Sequence, residues 1–291
     1  MGTPLLGFVL AAGLGTRIHA LSQTVPKPLL PVGLSTAFDR AVDALRTGGA
    51  ARVIANAAHL APQVQARGLA RDVAVVVENG GPFGTAGGLA NARSLLDADA
   101  VAIWNGDIIA DISIAGLVEQ MADACLAVRG REPIGGGNVG IDRSGRIVRL
   151  RALRFGDEDH GAWFAAVSVL GRALVDQAPA RGCLVGDLLV PALGRGAHLR
   201  AVDTVGAWHD VGDLQSYLEA NMAEPAVSET AHIAESVRLE RVAIGANAVV
   251  AGRGVLDRVV VFPGCRATAP LTSAIVTPDA VISVEGVDAV A

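Results

Sequence analysis

Lysine is almost absent from this 291-residue sequence: Lys27 is the single lysine, and the other 23 of the 24 basic residues are arginine. Aromatic residues make up only 3% of the chain, which argues against a platform for stacking single-stranded bases. Acidic residues outnumber basic ones by 29 to 24, and a net charge of −5 disfavours contact with a phosphate backbone. We therefore expect no nucleic-acid partner.

Cysteine and long apolar runs are scarce as well. The three cysteines lie far apart without a CxxC pair, which argues against a structural zinc site or a disulfide framework. An odd number of scattered cysteines is typical of a reducing compartment. The longest apolar run, residues 5–14, is too short to span a bilayer. These features predict a cytoplasmic protein with no membrane partner.

From residue 5 to about residue 130, the sequence alternates between short apolar runs and segments with helical spacing. Such alternation predicts an α/β fold, with a Rossmann-like, mainly parallel sheet and helices on both faces. Helical patterns near residues 184–194 and 213–221 close this first part. We therefore predict one domain over residues 1–224.

A different pattern follows the predicted boundary. Four consecutive hexads, IGANAV, VAGRGV, LDRVVV and FPGCRA, each open on an aliphatic or aromatic residue at positions 244, 250, 256 and 262. A period of six with small residues in between is typical of a left-handed parallel β-helix. We predict such a β-helix, short and C-terminal, over residues 225–291. An ordinary small β-region is the alternative.

The first glycine-rich stretch follows a predicted buried strand. It is not a dinucleotide fingerprint, because Ile18 stands where the third glycine is required, and no Walker motif follows. Gly13 and Gly15 would let backbone N–H groups approach phosphate oxygens, and Arg17 could bind a polyphosphate with its forked guanidinium. Ten residues later, Lys27 stands between two prolines that stiffen its segment. Alone, this stretch is equally compatible with a structural tight turn.

Two longer strings make the pattern specific: LAAGLGTRI at residues 10–18 and VPKPLLPV at 25–32. Together they resemble the opening signature of the sugar-1-phosphate nucleotidyltransferases, the NDP-sugar pyrophosphorylases. PFGTAGG at 82–88 is similar to the family's base-binding loop. WNGD at 104–107 and WHDVGD at 208–213 are similar to its two metal-binding segments. The resemblance covers about residues 4–222, and the hexads resemble the β-helix appended to many members.

This resemblance implies the reaction of an NTP with a sugar 1-phosphate, giving an NDP-sugar and pyrophosphate with Mg²⁺ as cofactor. The implied catalytic residues are Arg17, Lys27 and Asp107, and the implied metal ligands are Asp107 and Asp210, with Asp213 close to the latter. The implied nucleotide-binding residues are Leu10, Ala11, Ala12, Gly13, Gly15, Thr16, Glu78, Asn79, Gly84, Thr85 and Gly88. The implied sugar-binding residues are Asn105, Gly140, Arg151 and Ala166.

The sugar side departs from the family pattern. Many members carry a Glu-Lys-Pro triplet whose lysine meets the sugar phosphate, whereas the aligned stretch here reads RLRALR at residues 149–154. Arg151 or Arg154 could replace that lysine. On the base side, Glu78 or Asn79 could select the base, and both GTP and UTP stay open as substrates.

The GTAGG loop and the short tail look most like mannose-1-phosphate guanylyltransferases. Heptose-1-phosphate and N-acetylmuramate-1-phosphate nucleotidyltransferases are the alternatives within the family. A non-catalytic regulatory relative is a third reading, but such a copy would usually lose some of the motif residues that this chain keeps. An acyltransferase acting through the β-helix would need more coils and a catalytic histidine. We also expect a homo-oligomer, because a β-helix of few coils leaves ends that invite pairing.

Overall fold

The computed structural model of the chain describes residues 5–284. The chain divides into two compact units, which are described separately. The first unit contains the residues up to Leu14 together with Ala41–Trp208. The second contains Gly15–Arg40 and the residues from His209 onward.

The strands are β1 Leu5–Leu10, β2 Pro31–Val32, β3 Ser35–Thr36, β4 Arg52–Ala57, β5 Ala74–Val77, β6 Ala100–Asn105, β7 Ile108–Ala110, β8 Ala124–Glu132, β9 Val139–Ile141, β10 Ile147–Leu150, β11 Leu153–Arg154, β12 His160–Gly171, β13 Leu199–Asp203, β14 Trp208–Asp210, β15 Ala226–Val227, β16 His232–Ile233, β17 Val237–Ile244, β18 Val249–Val261, β19 Arg266–Val276 and β20 Val281–Ser283. The α-helices are α1 His19–Ser22, α2 Ala37–Thr47, α3 Ala61–Ala70, α4 Thr85–Ala92, α5 Ile114–Gln120, α6 Arg172–Asp176, α7 Val190–Gly194 and α8 Leu214–Ala223. Short 3₁₀ turns lie at Thr16–Ile18, Lys27–Leu29 and Arg93–Leu95, and a π-helix lies at Leu184–Leu189. Within residues 5–284, no helix has the length and apolar character needed to cross a membrane.

The first unit is built on one mixed sheet with the order β11-β10-β9-β12-β6-β1-β4-β5, to which β8 and β13 are joined through β12. Strands β6, β1, β4 and β5 are parallel neighbours. Strand β12 runs antiparallel to β6, β8 and β9. The predicted α/β fold is confirmed, with parallel pairing among those four strands and between β13 and β8. The antiparallel part was not predicted, because apolar runs do not reveal strand direction.

Strand β1 shows why the parallel part forms. Its residues between Leu6 and Val9 are all buried, as expected for an apolar run covered on both faces. Gly7 lets helix α2 approach closely, since a Cβ there would lie 3.1 Å from Leu45 Cδ1. Burying each large apolar side chain contributes roughly 1.5–3 kcal/mol. Phe8 in β1 and Trp104 in β6 are among the largest fully buried side chains.

The parallel register brings chemically active residues to one edge of the sheet. Leu10 in β1 lies opposite Asn105 in β6, so both strands end at the same level. Asn56 lies at the end of β4, and Glu78 directly follows β5. The carboxyl ends of parallel strands are the usual location of ligand sites in open α/β sheets.

Strand β12 is irregular where it passes this edge. Val167 pairs with Trp104 of β6, while the register against β8 shifts between Phe164 and Ser168. Ala166, inside the irregular stretch, has a φ of 62° in the left-handed region. Such a bulge redirects the strand locally. Residues 163–165 therefore extend beyond the carboxyl end of β6, and Ala166 is level with its last residue.

In the second unit, strands β17, β18 and β19 stack in parallel. Residues of β17 pair with residues of β18 that are 17 positions later, as Val237 does with Gly254. Between β18 and β19 the offset is 17 at Val249–Arg266 and 15 at Leu256–Leu271, after a register shift. Residues with positive φ mark corners at Arg241, Asn247, Gly252, Arg258 and Gly264, five or six positions apart. The spacing of the corners agrees with the hexads of the sequence. Each of these strands is longer than one hexad, because it continues through the corner between neighbouring hexads.

Helix α8 packs beside these stacked strands. The Tyr217 ring meets the Phe262 ring edge-on, with 6.5 Å between the centroids. The Tyr217 hydroxyl donates to the Pro31 carbonyl at 2.6 Å, and burial raises its pKa well above the ordinary value. Asn221 accepts a hydrogen bond from the Gly33 N–H at 3.0 Å. At the other end of the stack, β20 pairs antiparallel with β19 and ends the parallel pairing.

Candidate active site

A chain of buried hydrogen bonds joins three strand ends in the first unit. The Ala11 N–H donates to Asn56 Oδ1 at 2.7 Å, and Asn56 Nδ2 donates to Glu78 Oε1 at 2.6 Å. The Phe83 N–H donates to Glu78 Oε2 at 2.6 Å. Asn56 and Glu78 are each only 2% exposed. This network fixes the turn after β1 relative to the loop after β5, and both predicted nucleotide-binding segments belong to it.

Gly88 provides the space for this network. A Cβ at Gly88 would collide with Asn56 Nδ2 and would lie 2.8 Å from Glu78 Oε1. The glycine is therefore required by packing against buried polar groups. Sequence reasoning missed Asn56; the available signal was a single polar side chain within the apolar run of β4.

The loop that contains Gly84 and Thr85 is attached to the segment before the π-helix. Gly84 has a φ of 82°, and a Cβ there would collide with the Gly182 carbonyl oxygen. The Gly182 N–H donates to the Phe83 carbonyl at 2.9 Å, and the Leu184 N–H donates to Thr85 Oγ1 at 2.6 Å. These bonds hold the loop in one conformation.

The two candidates for reading the base differ in exposure. Both carboxylate oxygens of Glu78 accept hydrogen bonds inside the protein, whereas Asn79 is exposed. Asn79 is thus the better placed of the two to meet a ligand. Gly13 has open space around its Cα, since no described atom outside its chain neighbours would lie within 4 Å of an added Cβ.

Asp107 follows β6 at the same edge and is half-buried. Its backbone is held from both sides, because the Gly106 N–H donates to the Leu10 carbonyl at 2.9 Å and Trp104 Nε1 donates to the Ile108 carbonyl at 2.9 Å. Asn105, a predicted sugar-binding residue, ends β6 beside it. The backbone at Asp107 is therefore held beside the end of β1.

In the second unit, the single lysine meets an acidic residue. Lys27 is 8% exposed, and its Nζ lies 3.9 Å from Asp210 Oδ1. Lys27 begins a 3₁₀ turn, and Pro26 and Pro28 restrict the backbone on either side of it. A buried ammonium is favourable only with a charged partner close by. The structure thus brings together two of the predicted site residues.

The turn at residue 15 requires a left-handed backbone conformation, which glycine adopts readily. Gly15 has a φ of 65°, and a Cβ there would lie 2.8 Å from the Ser22 Cβ. Its carbonyl accepts hydrogen bonds from Ser22 Oγ at 2.9 Å and from the Ile18 N–H at 3.0 Å. Thr16 and Arg17, at the start of the 3₁₀ turn, stay exposed.

Asp210 and Asp213, on either side of Gly212, have different environments. A Cβ at Gly212 would lie 3.1 Å from Arg17 Nη1 and 3.2 Å from Asp210 Oδ2, so both groups lie against this glycine. Asp213 caps α8 instead, accepting the Ser216 N–H at 2.8 Å. That hydrogen bond, with the Arg17 charge as a weaker influence, lowers the pKa of Asp213. The capping role of Asp213 favours Asp210 as the functional carboxylate.

The predicted sugar side contains a buried ion pair. Arg149 Nε donates to Glu158 Oε2 at 2.9 Å, and Arg149 Nη2 donates to Glu158 Oε1 at 3.0 Å. Arg154 adds a bond to Glu158 Oε2 at 2.9 Å. The Arg149 hydrogen bond is the main reason that the pKa of Glu158 is lowered. A Cβ at Gly140 would lie 2.6 Å from Glu158 Cδ, so Gly140 makes room for this pair.

Arg151 has a different environment from Arg149 and Arg154. It is exposed, has a φ of 55°, and donates from Nη2 to Cys183 Sγ at 3.0 Å. Of the two arginines considered as replacements for the family's lysine, Arg154 is engaged with Glu158. Arg151 is thus the better placed to meet a phosphate.

The donor set fits a magnesium ion bound through substrate. Within residues 5–284, no group of three or more His, Cys, Asp or Glu side chains could hold a metal by itself. Mg²⁺ typically uses one or two carboxylates together with phosphate oxygens and water. Asp107 in the first unit is such a carboxylate.

A profile of the MobA-like NTP transferase domain matches residues 7–187. The chain belongs to this family. The match includes most of β1 and all of β4, β5 and β6, and therefore covers the sheet edge of the first unit. Lys27 lies within the matched residues, and Asp210 lies beyond them.

Three similar proteins have informative names. Mannose-1-phosphate guanylyltransferase of Mycobacterium tuberculosis is 26% identical over 291 residues, covering 90% of this chain and 80% of that protein. N-acetylmuramate alpha-1-phosphate uridylyltransferase of Neisseria meningitidis is 34% identical over 111 residues, covering 36% of this chain and 47% of that protein. The crystal structure of HddC from Yersinia pseudotuberculosis, complexed with GMP-PN, matches with a TM-score of 0.61 at 20% identity, covering 75% of this chain and 98% of that one. At that identity the last similarity concerns the fold.

Proposed function

We propose that this MobA-like NTP transferase transfers a nucleotidyl group from an NTP to a sugar 1-phosphate. The observation that carries the proposal is the family match over residues 7–187, and the names of the mycobacterial and neisserial relatives support the sugar phosphate as acceptor. A phosphate oxygen of the sugar 1-phosphate attacks the α-phosphorus of the NTP. The new P–O bond forms as the bond from the α-phosphorus to the bridging oxygen breaks, and pyrophosphate leaves with the electron pair.

The residues of this chain position anions and neutralise their charge, so no activated side-chain nucleophile is required. Arg17 binds the departing pyrophosphate, and Lys27 lies over the reacting phosphates. Asp107 would supply a carboxylate for Mg²⁺, as would Asp210, and the bound ion would neutralise charge on the phosphates.

The nucleotide-binding residues form two groups in this proposal. Backbone groups of the turn after β1 bind the triphosphate, and the loop after β5 reads the base. The buried contacts of Glu78 and Gly88 give these two residues a positioning role, with Asn79 exposed for the base itself. Arg151 binds the phosphate of the sugar in this proposal, and Asn105 and Ala166 are further sugar-binding residues.

GTP with mannose 1-phosphate is the first substrate pair to test, because the name of the mycobacterial relative, which covers 90% of this chain, indicates that pair. UTP with N-acetylmuramate 1-phosphate is the second, because the corresponding relative has the higher identity over its shorter match. A heptose 1-phosphate is a further acceptor within the same proposal.

We also propose the location and assembly of the protein. Residues 1–224 act as the catalytic segment and residues 225–291, of which 285–291 lie outside the described part of the chain, as a left-handed β-helix. The parallel pairing of β17 with β18 and of β18 with β19 supports this assignment. The β-helix mediates a homo-oligomer, and the protein works in the cytoplasm. Light scattering of the full chain and of a chain ending at Ala223 tests the assembly: an unchanged oligomeric state after truncation contradicts it.

A substrate panel with one variant tests the activity. Pyrophosphate release is measured for GTP, UTP, ATP and CTP with several sugar 1-phosphates, with and without Mg²⁺. Asp107→Asn should fold normally and lose about two decades or more in kcat, because a charge opposite the phosphates is removed. The exposed Glu119→Gln in the same unit is the control. Absence of turnover with every pair, or normal turnover by Asp107→Asn at saturating Mg²⁺, contradicts the proposal.

A further inference from the structure

Two strands of the first unit continue past the edge where Asp107 lies. Val167 of β12 is opposite Trp104, and β6 ends one residue later, so the residues before Ala166 extend past the carboxyl end of β6. Strand β8 pairs with β12 there, with Arg129 directly opposite Trp163. Trp163 is three residues from Ala166, which is at most about 10 Å of extended chain. These side chains start within reach of a sugar whose phosphate lies at the edge.

Arg129 is held in a fixed orientation at this place. Its guanidinium carbon lies 3.9 Å from the centroid of the Trp208 ring. Trp208 Nε1 in turn donates to the Ala165 carbonyl at 3.0 Å, which fixes the ring. Arg129 is exposed, and within the described part of the chain no carboxylate forms an ion pair with it. A stacked guanidinium keeps its N–H donors in one plane, directed away from the ring.

Trp163 is a large aromatic side chain that stays 46% exposed. Its Nε1 donates to Glu132 Oε1 at 3.1 Å, so the indole is oriented and the carboxylate is held beside it. Glu132 is half-buried and retains acceptor capacity, because a carboxylate has about four acceptor positions. A tryptophan whose indole N–H is paired and whose ring stays exposed presents a large apolar face to a ligand.

The chemistry of these groups is complementary to a sugar ring. A pyranose has an apolar C–H face, which suits an indole, and a rim of hydroxyls that donate to carboxylates and accept from guanidinium groups. By contrast, the space around Gly140 is filled by Glu158 and Arg149. That part of the predicted sugar side is therefore engaged in internal packing.

We infer that Arg129, Glu132 and Trp163 bind the ring of the sugar 1-phosphate and determine which sugar is accepted. This inference rests on the proposed nucleotidyl transfer and names the residues that select its acceptor. Arg151 and Asn105 then serve the phosphate end, while the three residues beyond the edge read the hydroxyls.

Steady-state kinetics test the inference with matched variants. Trp163→Ala, Arg129→Gln and Glu132→Gln should each raise the KM for the sugar 1-phosphate by about tenfold, the effect of losing one charged hydrogen bond or an equivalent contact. The KM for the NTP should stay within about twofold. Arg131→Gln is the control, since Arg131 lies on the same strand, is exposed and pairs with Asp159. Thermal unfolding checks that every variant is folded.

A binding measurement separates this inference from the proposed activity. Tryptophan fluorescence is followed while the protein is titrated with an NDP-sugar or with the matching NDP. The wild type should respond to the sugar moiety, Trp163→Phe should lose that response, and Arg129→Gln should weaken NDP-sugar binding about tenfold without weakening NDP binding. A wild type that turns over no substrate pair contradicts the proposed function, and the titration still tests the three residues. Equal binding of NDP and NDP-sugar by all variants, or KM changes shared by the sugar and the NTP, overturns the inference.

Discussion

The first unit buries two glutamates and satisfies them with different chemistry. Glu78, on the nucleotide side, accepts hydrogen bonds from uncharged groups, the Asn56 amide and the Phe83 N–H. Glu158, on the sugar side, accepts from the guanidinium groups of Arg149 and Arg154. The stability contributed by a charge-paired carboxylate depends on its partner's charge. The stability contributed by an amide-bound carboxylate depends on hydrogen-bond geometry.

A glycine lies against each of these glutamates. Gly88 leaves room for Glu78 and Asn56, and Gly140 leaves room for Glu158. Sequence motifs that look like ligand loops can thus have their glycines explained by buried side chains of the protein itself. The comparison predicts that the two sides respond differently to changes of charge and similarly to changes of volume.

The largest effect is expected for Glu158→Gln. Removing one partner of a buried ion pair leaves Arg149 uncompensated and should cost about 3–5 kcal/mol of unfolding free energy. Urea unfolding at pH 7 measures it, with exposed Glu119→Gln as the matched control. A loss below about 1 kcal/mol would show that water or a rearrangement replaces the carboxylate.

The same ion pair should produce a pH dependence. Because Arg149 lowers the folded-state pKa of Glu158, its contribution to stability is complete above the ordinary glutamate value of 4.5. The contribution is lost as the pH falls from 4.5 through the lowered pKa. The difference in unfolding free energy between wild type and Glu158→Gln should therefore shrink below about pH 4.5. A difference that stays constant down to about pH 3 contradicts the assignment.

Gly88→Ala and Gly140→Ala should each cost about 1–3 kcal/mol through overpacking. Gly116→Ala is the control, because the nearest atom to its added Cβ would be 3.4 Å away, at Ser113. It should be neutral or slightly stabilising. Thermal unfolding together with both KM values sharpens the comparison. If Gly140→Ala raised the KM for the sugar at unchanged stability, Gly140 would be a ligand contact and the parallel with Gly88 would fail.

The fold and the site differ in how far the sequence predicts them. Strand β1 follows from a local pattern, an apolar run, and is present. In the second unit, positive-φ residues recur at intervals of five or six positions, which matches the period of the hexads. The antiparallel position of β12 was not predictable, because its partners lie in distant parts of the chain, as the pairs Leu170–Val101 and Trp163–Arg129 show. Long-range pairing leaves no local signal.

The site residues also divide into those that a sequence motif predicts and those that only tertiary contacts reveal. The motif located Asp210, but only the cap geometry showed that neighbouring Asp213 serves α8. Glu78 lies in a motif that suggests base recognition, yet its partner Asn56 is 22 positions earlier and no pattern links the two. Residue type identifies which groups can do chemistry, while tertiary contacts decide which of them are occupied by the protein.

The smallest effect, and the most specific, concerns the network of Asn56 and Glu78. Glu78→Gln places an amide N–H against either Asn56 Nδ2 or the Phe83 N–H, and Asn56→Asp places two carboxylates in contact. Each single variant should cost about 1–2 kcal/mol of unfolding free energy and raise the KM for the NTP.

The double variant restores every donor–acceptor pair. The Ala11 N–H and the new amide group at position 78 both donate to the new carboxylate at position 56, and the Phe83 N–H donates to the amide oxygen at position 78. The double variant should therefore be more stable than either single variant, with a coupling energy of about 1 kcal/mol or more in a double-mutant cycle. If it lost the sum of the two single losses, the hydrogen-bond directions would be wrong, and the nucleotide side would rest on the charge of Glu78, as the sugar side rests on that of Glu158.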